Sequence, residues 1–188
     1  MAKSIAVFVG SLRKESFNRK MAHTLIALAP ESLKLEIIEI NGLPFYNQDD
    51  DDGGNPPAAW TAFRERVRAF DGLLFVTPEY NRSVPGVLKN AIDVGSRPYG
   101  QSVWGGKPAA VVSVSPGAIG GFGANHHLRQ SFVFLDIPVM QQPEAYIGGA
   151  AKLFDGEGRV IDEAAREFLV RFMEAFAAWV SKNAPRST

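Results

Sequence analysis

Three nearly continuous apolar runs, at residues 5–9, 73–77 and 109–114, punctuate the chain. Strands buried on both faces of a parallel sheet have this composition, because neither face meets water. Leu33, Leu35 and Ile37 alternate with polar residues and predict a strand nearer a sheet edge. Ile137-Pro-Val-Met140 and Tyr146-Ile147 are weaker candidates for a fifth strand. Between the runs, apolar residues recur at helical spacing. Met21, Leu25 and Leu28 form one such stripe, and Trp60, Phe63, Val67 and Phe70 a second, after Pro56-Pro57. Val87, Leu88, Ala91 and Ile92 mark a third helix, with Gly95 just beyond, and Leu128, Phe132 and Leu135 a fourth. A long fifth helix carries Ile161, Ala165, Phe168, Phe172, Phe176 and Val180, with Asp162 as its expected cap. Periodicity of this kind signals burial, so the aromatic stripes are read as core.

Five strands alternating with five helices predict an open, doubly wound α/β sheet. The expected form is a flavodoxin-like three-layer sandwich with a five-stranded parallel sheet in the order 2-1-3-4-5. In that order the switch point lies between the first and third strands, so the loops at their carboxyl ends share one ligand crevice. No repeat or domain-splitting linker is evident, and residues 1–188 are read as a single domain. Residues 48–57, with four consecutive aspartates, read as a solvated loop. The glycine and terminal glutamate of a calcium loop are absent there, so no metal site is expected.

Composition narrows the picture by exclusion. Twenty basic residues offset twenty acidic ones, which gives no argument for nucleic acid or for an anionic membrane surface. The chain has no cysteine, so disulfides, thiolate catalysis and Fe–S clusters are excluded. Lys3 and Ser4 lead straight into a short strand-like run, with no signal peptide visible, and no apolar run is long enough to cross a bilayer. A cytoplasmic protein is the expectation.

Candidate chemistry gathers in three loops. Residues 10–18, Gly-Ser-Leu-Arg-Lys-Glu-Ser-Phe-Asn, sit where the first strand hands over to a helix N-terminus. Unpaired N–H groups and the helix dipole favour an anion there. Ser11, Ser16 and Asn18 can donate hydrogen bonds to phosphate oxygens, and Arg13 can add a charge-assisted one. The second loop, Pro78-Glu-Tyr-Asn81, comes directly after the third strand; Tyr80 offers an aromatic face, and Asn81 can bond the polar edge of a flat heterocycle. The third loop, residues 115–123, has four glycines, which permit either close backbone approach to a flat ligand or simple mobility. It is not the dinucleotide fingerprint, because His126 occupies the last glycine position. One phosphate and one planar ring fit a mononucleotide better than a dinucleotide.

These residues resemble a known family. Gly10-Ser-Leu-Arg-Lys-x-Ser-Phe-Asn18 resembles the FMN phosphate loop of the NAD(P)H-dependent FMN reductases. Thr77-Pro-Glu-Tyr-Asn-x-Ser-x-Pro-Gly86, continuing through Leu88-Lys-Asn-Ala-Ile-Asp93, is similar to their second signature. His127-Leu-Arg-Gln130 and Val133-Phe-Leu135 look like the fourth helix of the chromate/quinone reductase branch. The resemblance implies that Ser11, Arg13, Ser16, Phe17 and Asn18 hold the FMN phosphate. It also implies that Pro78, Glu79, Tyr80, Asn81 and Arg82 line the isoalloxazine, with Ser115 near the ring. It further implies homodimers, paired into homotetramers, with the cofactor close to the dimer interface. Relatives in this branch can carry an arginine and a tyrosine within residues 121–127, where this chain has Gly123 and His126. A tetramer contact made by those side chains is missing here.

The chemistry this resemblance implies belongs to FMN, with NADH or NADPH as donor and quinones, chromate or other small molecules as acceptors. No nucleophilic triad is visible, and His126 and His127 read as interface or surface residues. Arg82 and Arg97 are candidates for the nicotinamide and substrate side, where they would give the crevice local positive potential; the alternative is two solvated loop arginines. Two other functions stay open on sequence alone: a reductase of free FMN, and a flavodoxin-like electron carrier.

Overall fold

The computed structural model describes residues 2–184. Residue 1 and residues 185–188 of the expected domain lie outside that range. Strands β1 (Lys3–Val9), β2 (Leu33–Ile37), β3 (Gly72–Thr77), β4 (Ala109–Val114) and β5 (Ala145–Ile147) form one sheet in the order β2-β1-β3-β4-β5. All neighbouring strands are parallel. This is the predicted flavodoxin-like order, with its switch point between β1 and β3.

The three central strands are buried throughout or nearly so, which is why their sequences run apolar without alternating. Their residues still divide by parity. Ile5, Val7 and Val9 face α1 (Phe17–Ala27) and α6 (Glu163–Asn183), against Met21, Leu25, Phe172 and Phe176. Ala6 and Phe8 face α3 (Ala58–Arg68), α4 (Gly86–Gly95) and α5 (Phe122–Phe134), against Trp60, Phe63, Leu88 and Phe132. Successive side chains of a strand point to opposite faces, so each central strand feeds two cores.

Three expectations need correction. Residues 137–140 do not supply the fifth strand. Val139 makes only an isolated bridge to Ala109, while Ala145–Ile147 pairs with β4 over three positions. Pro138 lacks the N–H that a ladder needs. Ile161 lies before α6 and is exposed; the helix starts after Asp162, whose Oδ1 accepts the Ala165 N–H at 2.7 Å. The aspartate-rich stretch is not simply solvated. Residues Gln48–Asp52 form a short helix, α2, capped by Asn47, and Asp51 turns inward onto Arg64 of α3. Next to it, Asn90 of α4 accepts the Tyr46 N–H at 2.9 Å and donates to the carbonyls of Leu43 and Pro44, fastening the β2–α2 connection to α4.

Candidate active site

Loop one leaves β1 at Gly10, whose N–H donates to Val76 O of β3 at 2.9 Å. The chain is so close to β3 here that an added Cβ would lie 3.0 Å from Thr77 Oγ1, 3.1 Å from Leu88 and 3.2 Å from Pro78. Ser16 is the N-cap of α1, and its Oγ accepts the Arg19 N–H at 3.3 Å. That leaves the N–H groups of Phe17 and Asn18 directed outward from the first turn, with no acceptor within the helix. The Phe17 ring is stacked on Phe154 at 6.2 Å, so this residue can offer a ligand only its backbone. Ser11 and Asn18 are buried, and Leu12 and Arg13 are exposed.

Loop two is a two-residue hairpin turn. Tyr80 N–H donates to Ser83 O at 3.1 Å and Ser83 N–H returns to Tyr80 O at 2.9 Å. Asn81 and Arg82 between them lie in the left-handed region, at φ 50° and 61°. Asparagine tolerates that conformation, whereas for arginine it costs about 1–2 kcal/mol. Glu79 reaches across to the start of α5, where Oε2 accepts the Ala124 N–H at 3.0 Å. Ser83 Oγ and His127 Nδ1 are hydrogen-bonded at 2.9 Å.

In loop three Ser115 bonds its own loop, its Oγ accepting the Gly117 N–H at 3.1 Å. Gly120 has no room for a side chain, since it lies against the backbone of Tyr146. The Tyr146 hydroxyl is paired with His126 Nε2 at 2.9 Å, and burial together with the nearby Glu144 pushes it up to about 12. It therefore stays neutral at physiological pH.

The structure brings loops one and two together. A cleft of about 430 Å³ is lined by Gly10, Ser11, Leu12, Arg13, Tyr80, Pro85, Gly86 and Val87. Its volume falls in the range of small-molecule sites. The N-terminal residues of α4 were not expected to line it; the Pro85-Gly86 pair that opens α4 was the available signal. A groove of about 490 Å³ lies elsewhere, between residues 23–28 at the C-terminal end of α1 and residues 157–166. That groove is away from the switch point, and its Arg159 is already paired with Asp155 and Glu157. Arg97 does not line this cleft. It lies just past the C-terminus of α4, bonded to Ser96, a helix length of about 15 Å from Gly86.

The residues present fit FMN. Asn18 Nδ2 donates to Val114 O at 3.3 Å, which leaves Oδ1 buried without a donor among the described residues. A ribityl hydroxyl supplies such a donor, and a phosphate oxygen does not. Phosphate suits the N-terminus of α1, where first-turn N–H groups lack acceptors within the helix.

A doubly wound sheet in this strand order, with a helix N-terminus and an aromatic hairpin at its switch point, defines the flavodoxin-like class. Residues 4–152 match the NADPH-dependent FMN reductase family model. A quinone reductase of Pseudomonas putida is 67% identical over 180 residues, covering 96% of this chain and 96% of that protein. A 2-hydroxy-1,4-benzoquinone reductase of a Burkholderia species is 51% identical over 180 residues, covering 96% and 97%. Among solved structures, FerB, a flavoenzyme NAD(P)H:(acceptor) oxidoreductase of Paracoccus denitrificans, superposes with a TM-score of 0.90 at 42% identity, covering 98% of this chain and 100% of that chain. The chain belongs to the NADPH-dependent FMN reductase family and is an NAD(P)H-dependent oxidoreductase that works with FMN.

Proposed function

We propose that this protein is a single-domain NAD(P)H:quinone oxidoreductase whose FMN sits in the cleft between loops one and two. The observation that carries the reading is that residues 10–13 of loop one, which lead to the Ser16 cap of α1, and Tyr80 of the hairpin line one cleft. Ser11, Arg13, Ser16 and the N–H groups of Phe17 and Asn18 hold the phosphate, and Asn18 Oδ1 accepts from the ribityl chain. Tyr80, Asn81 and Arg82 line the ring from one side, with Pro78 and Ser115 bounding the crevice. Bound there, FMN supplies hydride transfer between nicotinamide and acceptor. The chain contributes binding, orientation and access, and needs no nucleophile of its own. Because the cleft is open, donor and acceptor use the same face in turn, which gives ping-pong kinetics. Chromate and other small oxidants are included as acceptors on the ground that the exposed Arg82 side chain, two residues after the cleft-lining Tyr80, adds positive charge nearby. A nicotinamide donor is an intracellular solute, so the reading carries a cytoplasmic location with it. No helix among the described residues is long and apolar enough to cross a membrane.

The same reading makes the protein a homodimer. Tyr99, Val133 and Phe134, beside the C-terminal ends of α4 and α5, are 86%, 82% and 76% exposed. Apolar side chains grouped in this way mark an interaction surface. In a two-fold pairing that runs α4 antiparallel to its copy, Arg97 of each subunit comes beside the cleft of the other. That arrangement gives Arg97 the substrate-side role that one subunit alone does not. Pairing of dimers into a tetramer is part of the proposal, without the arginine and tyrosine absent from residues 121–127.

An absorbance spectrum of the purified protein, then anaerobic NADH and NADPH titration and addition of a benzoquinone, tests the reading. Retained flavin that bleaches with nicotinamide and recovers with quinone is the expected result. Flavin lost on gel filtration points to a reductase of free FMN. Retained flavin that nicotinamide cannot reduce points to an electron carrier.

A further inference from the structure

Helix α5 begins without a cap of its own. Its N-cap is Gly121, at φ 77°, which has no side chain to offer the first-turn N–H groups. A carboxylate from loop two takes that place. Glu79 Oε2 accepts the Ala124 N–H at 3.0 Å across 45 residues of sequence. The Glu79 side chain is only 13% exposed, and its other oxygen lies 3.8 Å from Arg82 Nη1. Negative charge at a helix N-terminus satisfies an orphan donor and complements the helix dipole. Gly123 makes the approach possible: an added Cβ there would lie 2.7 Å from Arg82 O and 2.9 Å from Glu79 Oε2.

The contact matters because Glu79 immediately precedes the hairpin turn. That turn has two left-handed positions, a conformation that persists only when its surroundings hold it. Beyond the turn, Ser83 is bonded to His127, also on α5. The turn is thus fastened to α5 on both sides, at Ala124 and at His127. Since Oε2 is engaged with α5 and Oε1 faces Arg82, little of this carboxylate is left for a ligand.

We infer that Glu79 is a positioning residue. Its carboxylate latches loop two to the N-terminus of α5 and so sets the face that Tyr80, Asn81 and Arg82 present to FMN, with Gly123 as the necessary partner. The inference rests on the FMN-binding function proposed for the cleft and assigns Glu79 a role other than lining the ring.

Two variants open the latch from opposite sides: Glu79→Ala removes the acceptor, and Gly123→Ala puts a methyl group into the contact. Glu79→Gln keeps an oxygen that accepts from Ala124 and serves as the rescue. The readouts are the ¹⁵N–¹H shifts of Ala124 and Ser83 in FMN-free protein, the FMN Kd, and the visible spectrum of loaded protein. Glu79→Ala and Gly123→Ala are each expected to move both amides, weaken FMN about tenfold and shift the flavin band, with far-UV circular dichroism unchanged. The double variant is expected to bind no worse than either single one, and Glu79→Gln to stay within about threefold of wild type. A moved Ala124 amide with Ser83, FMN affinity and spectrum unaltered overturns the inference. So does a Glu79→Gln variant that restores the Ala124 amide but binds FMN as poorly as Glu79→Ala, because the carboxylate is then serving the ligand directly. A wild-type protein that binds no FMN defeats the functional reading instead, and the latch is then decided by the Ala124 and Ser83 amides in the same variants.

Discussion

Arg64 and Asp51 face each other through two parallel hydrogen bonds of 2.8 and 2.7 Å, with side chains only 5% and 2% exposed. Arg64 Nε also donates to Val94 O of α4 at 2.8 Å. One guanidinium therefore ties α2 and α3 to the C-terminal end of α4. Asp51→Ala is expected to destabilise the protein by about 3–5 kcal/mol, because it leaves a buried arginine without its counter-charge. The Arg64 hydrogen bonds, chiefly, hold the Asp51 carboxyl below its ordinary value of 3.8. A group with a lowered folded pKa stabilises above its unfolded pKa and loses that contribution as pH falls through the folded value. Wild type should therefore lose this part of its stability only below about pH 3.8, and Asp51→Asn should lack that acid-side loss. Urea unfolding from pH 2 to pH 7 reads both effects.

Asn18 is expected to matter more to the loaded protein than to the empty one. Its Nδ2 bonds Val114 O, but its buried Oδ1 has no donor within the described chain. Asn18→Ala should weaken FMN binding by about tenfold while costing the FMN-free protein about 1 kcal/mol. Differential scanning fluorimetry with and without FMN separates the two, since the rise in Tm with ligand tracks affinity. An equal rise in both proteins would remove Asn18 from the ribityl role.

Arg82 holds a left-handed backbone at φ 61° that glycine adopts without strain. Arg82→Gly should therefore raise stability by about 1 kcal/mol. The same change removes a positive charge, 76% exposed two residues after the cleft-lining Tyr80, so under the proposed function the KM for NADPH should rise with kcat nearly unchanged. Steady-state kinetics paired with chemical denaturation on one variant tests this opposition of signs. A fall in stability would mean that the ion pair with Glu79, at 3.8 Å, outweighs the backbone strain.

Phe134 and Val133 stand exposed on α5. If the proposed dimer forms through this face, Phe134→Glu leaves the protein monomeric, since a dimer interface core excludes charge. Sedimentation velocity measures the shift. Quinone reduction should fall with it if Arg97 serves the partner's cleft as proposed. A monomer of full activity would place Arg97 outside the reaction.

The elements themselves were largely legible. Residues 5–9 and 73–77 showed strands through unbroken apolarity, and Phe168, Phe172 and Phe176 showed α6 through spacing. The start of α1 was legible for a different reason: Ser16 carries the side-chain oxygen of an N-cap, whereas the Asn18 side chain, read as a donor to phosphate, turns to Val114 O. The fifth strand was ambiguous because three residues, Ala145–Ile147, carry too little pattern to outweigh the more apolar 137–140.

Sequence alone determined the quantities that depend on neighbours along the chain: period, the alternation of strands and helices, and which loops carry donors. The tertiary structure decided the pairings between residues far apart in sequence. Glu79 with Ala124, Arg64 with Asp51 and Asn18 with Val114 each join separate elements. A carboxylate in a loop or an aspartate in an acidic run reads the same whether it is solvated or bonded. Its partner appears only when the sheet brings distant backbone within about 3 Å, the reach of a hydrogen bond.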